Sequence, residues 1–376
     1  MNQKITYKDA GVNINLGNEA SKILYNASKL TWQNRKGKFG EATSTQNIFS
    51  GLRFLDFKNI PKEVKFSLNS DGIGTKVEIA ERMKDHSTMA FDLIAMVVDD
   101  AVVRGGIPIS LATVLDVNSL NRDKNAFKYL KQLALGYTMA ANEAGITVLN
   151  GEIAELPERI FGYGDFNYNW SSTLLWVSTE DKLIDGSKIE VGASVVLLRE
   201  KGFRSNGISL LRKVMKTSFG ENWHKKTVDG INLGKEALTP STIYCKSIIA
   251  MIGDLNEKPK CNIQAISHIT GGGIPEKLKR VLKAVNCGIE LNNLYQPNSL
   301  MLKCQNLAKT TDEQAYKIWN MGQGMVIISN EPKKVIKIAK DYNIDAKIGG
   351  KVVSHPKIKI KSKGLLKRDR WIEFPT

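Results

Sequence analysis

Glycine clusters fall where apolar runs end, in both halves of the chain. In the first half, Ser70-Asp71-Gly72-Ile73-Gly74-Thr75-Lys76 follows the apolar stretch 64–68. Gly105-Gly106 stops the run 89–104, and Asn150-Gly151-Glu152 follows the run 146–149. In the second half, Phe203-Arg204-Ser205-Asn206-Gly207 leads into 208–216, Thr270-Gly271-Gly272-Gly273 leads into 275–282, and Gly322 and Gly324 precede 325–328. Glycine lets the main chain turn sharply or approach another group closely. Placed between apolar segments, it predicts strands at 64–68, 108–117, 146–149, 174–177, 193–198 and 325–328. Helices are expected at 89–104, 126–144, 208–216 and 275–282. The polar stretch 178–192 is the best boundary, so two domains are expected, 1–180 and 181–376.

With 42% hydrophobic and 24% charged residues, the composition is that of a globular protein, which excludes disordered, collagen-like and disulfide-scaffold classes. No stretch approaches the roughly 20 apolar residues of a membrane span. The opening MNQKITYKDA lacks an apolar signal core. A cytoplasmic location and no membrane partner are expected. Cys245, Cys261, Cys287 and Cys304 show no metal-ligand spacing and read as reduced, buried thiols. His86, His224, His268 and His355 are scattered, so any metal should be a hard cation on carboxylates. The 54 Lys and Arg against 38 Asp and Glu give a net charge of +16, which suits anionic substrates or polyanions. Only residues 357–370 form a dense basic run. A solvated lysine-rich surface explains it better than nucleic-acid binding, and no nucleic-acid partner is expected.

The segment 70–76 is the sharpest chemical feature. Two glycines let successive N–H groups converge on an anion, and Lys76 adds a cation. A carboxylate at Asp71 fits a phosphate loop if Mg²⁺ stands between the two anions. The plainer reading is an Asp-Gly turn with an incidental lysine. Asp99 and Asp100 interrupt an otherwise apolar helix, where an unpaired carboxylate is costly. One acid as a metal ligand is the functional reading. The alternative pairs Asp100 with Arg104 at i,i+4 and leaves Asp99 on a wet face. Glu152 stands where a strand of an α/β layer ends; otherwise it is a solvated loop acid. Three carboxylates from separate segments would suit a cation bridging nucleotide phosphates.

In the second half, Arg204, Ser205, Asn206 and Gly207 open a helix. Ser205 or Asn206 can cap it, and its free N–H groups with Arg204 can hold an anion. Thr270, Gly271, Gly272 and Gly273 repeat that logic before Pro275. His268, just upstream, suits either a structural role or one at the substrate.

Taken together, these segments resemble a known family. Tyr7-Lys8-Asp9-Ala10-Gly11-Val12, Ser70 to Lys76, Asn150-Gly151-Glu152-Ile153-Ala154-Glu155-Leu156-Pro157, Arg204-Ser205-Asn206-Gly207, His268 to Gly273 and Asn320-Met321-Gly322-Gln323-Gly324-Met325 stand in the order found in phosphoribosylformylglycinamidine cyclo-ligases. The resemblance implies an α+β fold of two domains. The N-terminal mixed sheet with helices would pair across a homodimer, and the C-terminal domain would be an α/β sandwich with glycine-rich loops. It implies ATP in the first domain, touching Asp71, Gly72, Gly74, Thr75, Lys76, Asp99, Asp100 and Glu152, with Mg²⁺ on Asp71, Asp100 and Glu152. Substrate phosphate would lie by Arg204 to Gly207 and Thr270 to Gly273. Asp71, Lys76 and His268 would serve catalysis.

The implied activity is ATP-dependent closure of formylglycinamidine ribonucleotide to aminoimidazole ribonucleotide in purine biosynthesis. The rivals are another small-molecule kinase or synthetase of the same superfamily, and a basic nucleic-acid-binding protein that kept the fold. Asp99 stands where the family usually has asparagine, Asn150 where it has glycine, and Thr113 where it has aspartate; the loop 36–42 also departs. Asp71→Asn and Lys76→Ala are expected to abolish turnover with thermal unfolding near the parent value.

Overall fold

The computed structural model describes residues 13–46, 49, 51–58, 60 and 63–376. Tyr7 to Val12, one of the segments carrying the resemblance, lies outside them. Two compact units form: one from the described residues among the first 62 with Phe66–Val98 and Pro108–Val177, the other from Glu63–Lys65, Asp99–Ile107 and Ser178–Thr376. Each mixes helices with a sheet, giving the expected α+β class.

The first half of the chain runs α1 (Ile14–Leu30), β1 (Glu41–Ser44), β2 (Arg53–Asp56), β3 (Lys65–Gly72), α2 (Val77–Met83), α3 (Met89–Val102), β4 (Ile107–Val117), α4 (Ala126–Ala144), β5 (Thr147–Glu155) and β6 (Tyr168–Ser178). Asn13 caps α1 by accepting from the N–H groups of Asn15 and Leu16, and Glu155 accepts the N–H of Asn13 at 2.9 Å. α4 spans the expected residues, and Gly145 ends it in the left-handed conformation. β1 and β2 form a separate antiparallel pair. The main sheet has the order β3-β6-β4-β5, and β4 and β5 run parallel.

Both β3 and β5 outrun their sequence expectation. The Asn-Ser-Asp-Gly segment reads as a turn and Asn-Gly-Glu as the end of a strand, yet both extend the strands. For β5 the ladder with β4, pairing Thr113 with Gly151 and Val114 with Glu152, supplies what local propensity withholds, and β3 lies against β6. At the β3 edge, Phe66 and Leu68 point outward, 49% and 65% exposed.

The second half runs β7 (Ser194–Arg199), α5 (Ile208–Phe219), β8 (Thr227–Val228), β9 (Ile231–Asn232), α6 (Leu233–Ala237), α7 (Cys245–Ile252), β10 (Ile263–His268), α8 (Gly273–Leu282), β11 (Gly288–Leu291), α9 (Ser299–Leu307), α10 (Asp312–Ile318), β12 (Gln323–Ser329), α11 (Pro332–Asp341), β13 (Ala346–Val353), β14 (Lys357–Lys361) and β15 (Trp371–Pro375). Seven strands make one sheet in the order β10-β12-β7-β13-β11-β14-β15, parallel at β11 and β14. β12 is buried along its whole length, as a central strand covered on both faces must be. α11 packs on β7, β13 and α7, while α8 packs on β10 and α10.

The basic tail is built into this sheet. Along β14 the isoleucines are buried and the lysines face out. Lys357 pairs with Glu373 at 2.7 Å, Lys363 with Asp369 at 2.6 Å and Lys367 with Glu313 at 2.5 Å. That is an amphipathic strand with much of its charge compensated. All four cysteines are buried and free. Among the described residues no helix is long and apolar enough to cross a membrane.

Candidate functional site

In the first unit, β3 delivers Asp71 at its end, where Asp71 Oδ1 accepts the Gly72 N–H at 2.7 Å. The chain then turns through Ile73, whose N–H bonds the Trp170 carbonyl at 3.0 Å. The loop has an inner and an outer side. Asp71 and Gly72 are half-buried and Gly74 and Thr75 exposed, while Ile73 and Lys76 are buried. A Cβ at Gly74 would meet nothing within 4 Å, so the main chain there is open to a ligand. Lys76 turns the other way: its Nζ lies 2.8 Å from both Asp92 oxygens, and both side chains are fully buried.

Glu152 lines a cleft of about 170 Å³ in the same unit, together with Tyr25, Ser28, Arg53, Thr113 and Tyr137. Arg53 donates to Asn150 Oδ1 at 2.8 Å and stacks over the Tyr25 ring. The Tyr137 hydroxyl donates to Thr113 Oγ1 at 3.1 Å. Two of the family departures, Asn150 and Thr113, therefore sit in one cleft with Glu152. Asp71 is not among its lining residues.

In the second unit, Arg204 is the hub. It sits at a positive φ of 56 and is fully buried. Its Nη1 donates to Glu200 Oε2 and to the Thr242 carbonyl, both at 2.8 Å; its Nη2 donates to Asp99 Oδ2 at 3.0 Å and meets His268 Nε2 at 2.7 Å. Asp99 also accepts the Tyr244 N–H at 3.0 Å. Neither side of the earlier alternative holds: Asp99 lies on no wet face, being fully buried, and Asp100 Oδ1 meets His268 Nδ1 at 2.7 Å rather than pairing with Arg104.

Burial pushes the Asp99 carboxyl up to about 7, against the pull of Arg204 and the Tyr244 N–H. Burial works against the charge of Arg204 as well, but Glu200 and Asp99 hold it well above its ordinary value. Burial and the nearby guanidinium drive His268 down to about 4, so its imidazole is neutral. Burial alone would raise Asp100; its hydrogen bond to His268, with Lys277 and Arg104 nearby, holds it below the usual carboxylate value instead.

Two loops meet beside this hub. Gly207 leads α5 at φ 71, and a Cβ there would come 2.3 Å from the Trp319 ring. Gly273 opens α8 at φ 61, and its Cβ would come 1.9 Å from the Tyr316 carbonyl. Gly271 is different: its Cβ would meet only Asn206 Oδ1, at 3.3 Å. Ser205 Oγ and Asn206 Nδ2 are buried with no hydrogen-bond partner among the described residues. Buried polar atoms normally have partners, so these two are ready for a ligand or an ordered water.

Glu200 and Tyr244 were missed by the sequence reading. Glu200 carries a signal, four residues before Arg204; Tyr244 carries none. Among the described residues no three His, Cys, Asp or Glu side chains group closely enough to hold a metal ion. A Mg²⁺ that travels with a nucleotide needs only one or two carboxylates, the rest of its shell being phosphate oxygens and water. Asp71, Asp100 and Glu152, expected from the sequence as one ligand set, are each half-buried or exposed and each offers hard oxygen donors, but the three do not form such a group.

Comparison with known proteins adds to this geometry. Residues 55–169 match the model of the AIR synthase related protein N-terminal domain, and residues 190–363 that of the C-terminal domain. A phosphoribosylformylglycinamidine cyclo-ligase of Methanocaldococcus jannaschii is 33% identical over 93% of this chain and 92% of its own length. One of Pyrococcus horikoshii is 31% identical over 96% and 99%. Among solved structures, the thiamine-monophosphate kinase of Stenotrophomonas maltophilia superposes with a TM-score of 0.59 at 10% identity, covering 91% of this chain and 96% of its own. The hydrogenase maturation protein HypE in complex with ATP superposes at 0.55 and 12%, covering 83% and 85%. These structural likenesses bear on the fold alone. The match along nearly the whole chain places this protein in the AIR synthase related family, among the phosphoribosylformylglycinamidine cyclo-ligases.

Proposed function

We propose that the protein closes formylglycinamidine ribonucleotide to aminoimidazole ribonucleotide at the expense of ATP, releasing ADP and phosphate, as a cytoplasmic enzyme of purine biosynthesis. The observation that carries this reading is its 33% identity to a cyclo-ligase across 92% of that enzyme's length.

An amide oxygen is a poor leaving group, so the formyl amide oxygen first takes the γ-phosphoryl group. The amidine-side nitrogen then attacks the activated carbon and loses its proton, and the oxygen departs with phosphate. Holding both ends of one substrate together can lower the barrier by roughly 7–11 kcal/mol at best. The protein's part is to position groups and offset charge. The exposed Gly74 and Thr75, with the half-buried Asp71 and Gly72, are the nucleotide contact in this reading, within a domain 1–180. Lys76, tied to Asp92, braces that loop from behind. One or two of the carboxylates Asp71, Asp100 and Glu152 are the candidate ligands of Mg²⁺, which would offset phosphate charge. Ser205, Asn206, Gly207, Thr270 and Gly271, in a domain 181–376, would receive the substrate phosphate. Ser205 Oγ and Asn206 Nδ2 support that assignment as unpartnered donors.

A homodimer formed through the N-terminal sheet completes the proposal. Phe66 and Leu68, exposed at the β3 edge, favour it.

The purified protein with ATP, Mg²⁺ and formylglycinamidine ribonucleotide should form the aminoimidazole product, with one ADP per ring closed. Heavy oxygen placed in the formyl group should appear in the released phosphate. Unlabelled phosphate rejects activation by phosphorylation, and turnover of a different substrate only rejects the cyclo-ligase assignment.

A further inference from the structure

Arg204 was expected to meet substrate phosphate, yet its guanidinium is fully buried and faces Glu200, Asp99, Thr242 and His268. That arrangement fixes the hydrogen on His268. An arginine can only donate, so His268 Nε2, 2.7 Å from Arg204 Nη2, must accept and can bear no hydrogen. The single proton of the ring is then on Nδ1, which faces Asp100 Oδ1 at 2.7 Å. The Asp100 side chain is 35% exposed, and Oδ2 is the oxygen left for a ligand.

We infer that Glu200, Asp99 and Arg204 form a buried clamp whose task is to hold His268 as the Nδ1–H tautomer, so that His268 orients Asp100. Arg204 is thereby a positioning residue two contacts removed from any ligand. This rests on the reading that Asp100 serves the nucleotide, but the tautomer itself does not. Such outer partners of a ligand-bearing side chain typically affect affinity or activity by about 10–100-fold. Asp99, a departure from the family's usual asparagine, acquires a reason here: it gives the Arg204 fork its second carboxylate. Arg204 turns Nη1 and Nη2 to the acids and His268, while its Nε, like Ser205 Oγ and Asn206 Nδ2, is buried with no hydrogen-bond partner among the described residues; of these three residues, Asn206 is the one that a Cβ at Gly271 would meet.

The test begins with the unaltered protein carrying nitrogen-15 histidine, with the His268 signals assigned by comparison with His268→Gln. His268 should show a protonated Nδ1 and a bare Nε2. A protonated Nε2, alone or with Nδ1, overturns the clamp whether or not the enzyme is active. The triple variant Arg204→Met, Asp99→Asn, Glu200→Gln replaces the buried charges with neutral groups of similar size. It should fold, lose the fixed tautomer, and show kcat reduced about 10–100-fold with KM for the ribonucleotide changed less than about twofold. If that variant does not fold, Arg204→Lys serves, because one ammonium cannot span Glu200, Asp99 and His268 as the fork does. A folded variant that keeps both the tautomer and full activity overturns the proposal. Correct His268 signals in a protein that closes no ring would leave the clamp standing and sink the cyclo-ligase reading.

Discussion

Lys76 Nζ lies 2.8 Å from each carboxylate oxygen of Asp92, and solvent reaches neither side chain. The lysine that looked from the sequence like a ligand's counter-charge is the inner strut of the loop that carries Asp71. Breaking such a buried pair by removing one member typically costs about 3–5 kcal/mol. Lys76→Met should therefore lower the unfolding free energy by about that amount, contrary to the thermally silent change expected from sequence. The double variant Lys76→Met, Asp92→Leu should recover most of it. Urea unfolding of the two proteins checks both halves; a single variant as stable as the parent would remove the strut role.

Asp71 stands on the outward side of the same loop. Asparagine supplies the same acceptor to the Gly72 N–H, so Asp71→Asn should keep stability within about 0.5 kcal/mol. Turnover should fall by roughly 10–100-fold or more, with a higher Mg²⁺ requirement. Activity titrated against Mg²⁺ reads this directly; an unchanged curve would clear Asp71 of any part in the site.

Gly271 and Gly273 are predicted to fail differently. Gly273→Ala would force a side chain into the left-handed region and against the Tyr316 carbonyl, so the protein should lose about 1–3 kcal/mol of stability. Gly271→Ala meets only Asn206 and should unfold like the parent while KM for the ribonucleotide rises. Equal behaviour of the two variants in both assays would count against a ligand at this loop.

Glu81 offers a pH signature. Burial pushes its carboxyl up to about 7 from an ordinary 4.5, against hydrogen bonds from the Tyr163 N–H and Asn167. Below about 4.5 the folded and unfolded chains both hold the proton, and the group has no effect on stability. Between that pH and about 7 the unfolded chain releases it first, so stability falls as pH rises and then levels off. The full loss is on the order of 3 kcal/mol. His86, pushed down to about 4 by burial, has the opposite slope, but it is common to parent and variant. The stability difference between Glu81→Gln and parent should grow from near zero at acid pH to that value at pH 8. A flat difference would show that the carboxyl ionises freely.

Leu68→Lys tests the proposed homodimer. It places a charge on the exposed face of β3 and should yield monomers by sedimentation, with each polypeptide still folded. A dimer that survives it forms through another surface.

Much of the architecture was legible where one local rule decides. The helix over 126–144 and its glycine stop followed from periodicity alone. β3 and β5 came out too short because their polar ends are held by neighbouring strands, which no local window contains. Within the site, the Glu200–Arg204 contact spans four residues and could have been read. The Asp99–Arg204 contact spans 105, and nothing in the intervening sequence announces it. Lys76 shows the finest limit: buried Ile73 and Lys76 are interspersed with more open neighbours, so one position decides between touching a ligand and bracing the turn.

At the far end of the second sheet, Phe374 lies opposite Ile358 and Ile372 opposite Ile360. A protease that trimmed residues 371–376 would strip that cover and bare a row of unsatisfied main-chain groups flanked by isoleucine. Molecules cut there would adhere to one another, so keeping preparations usable in storage depends on residues 371–376 staying attached.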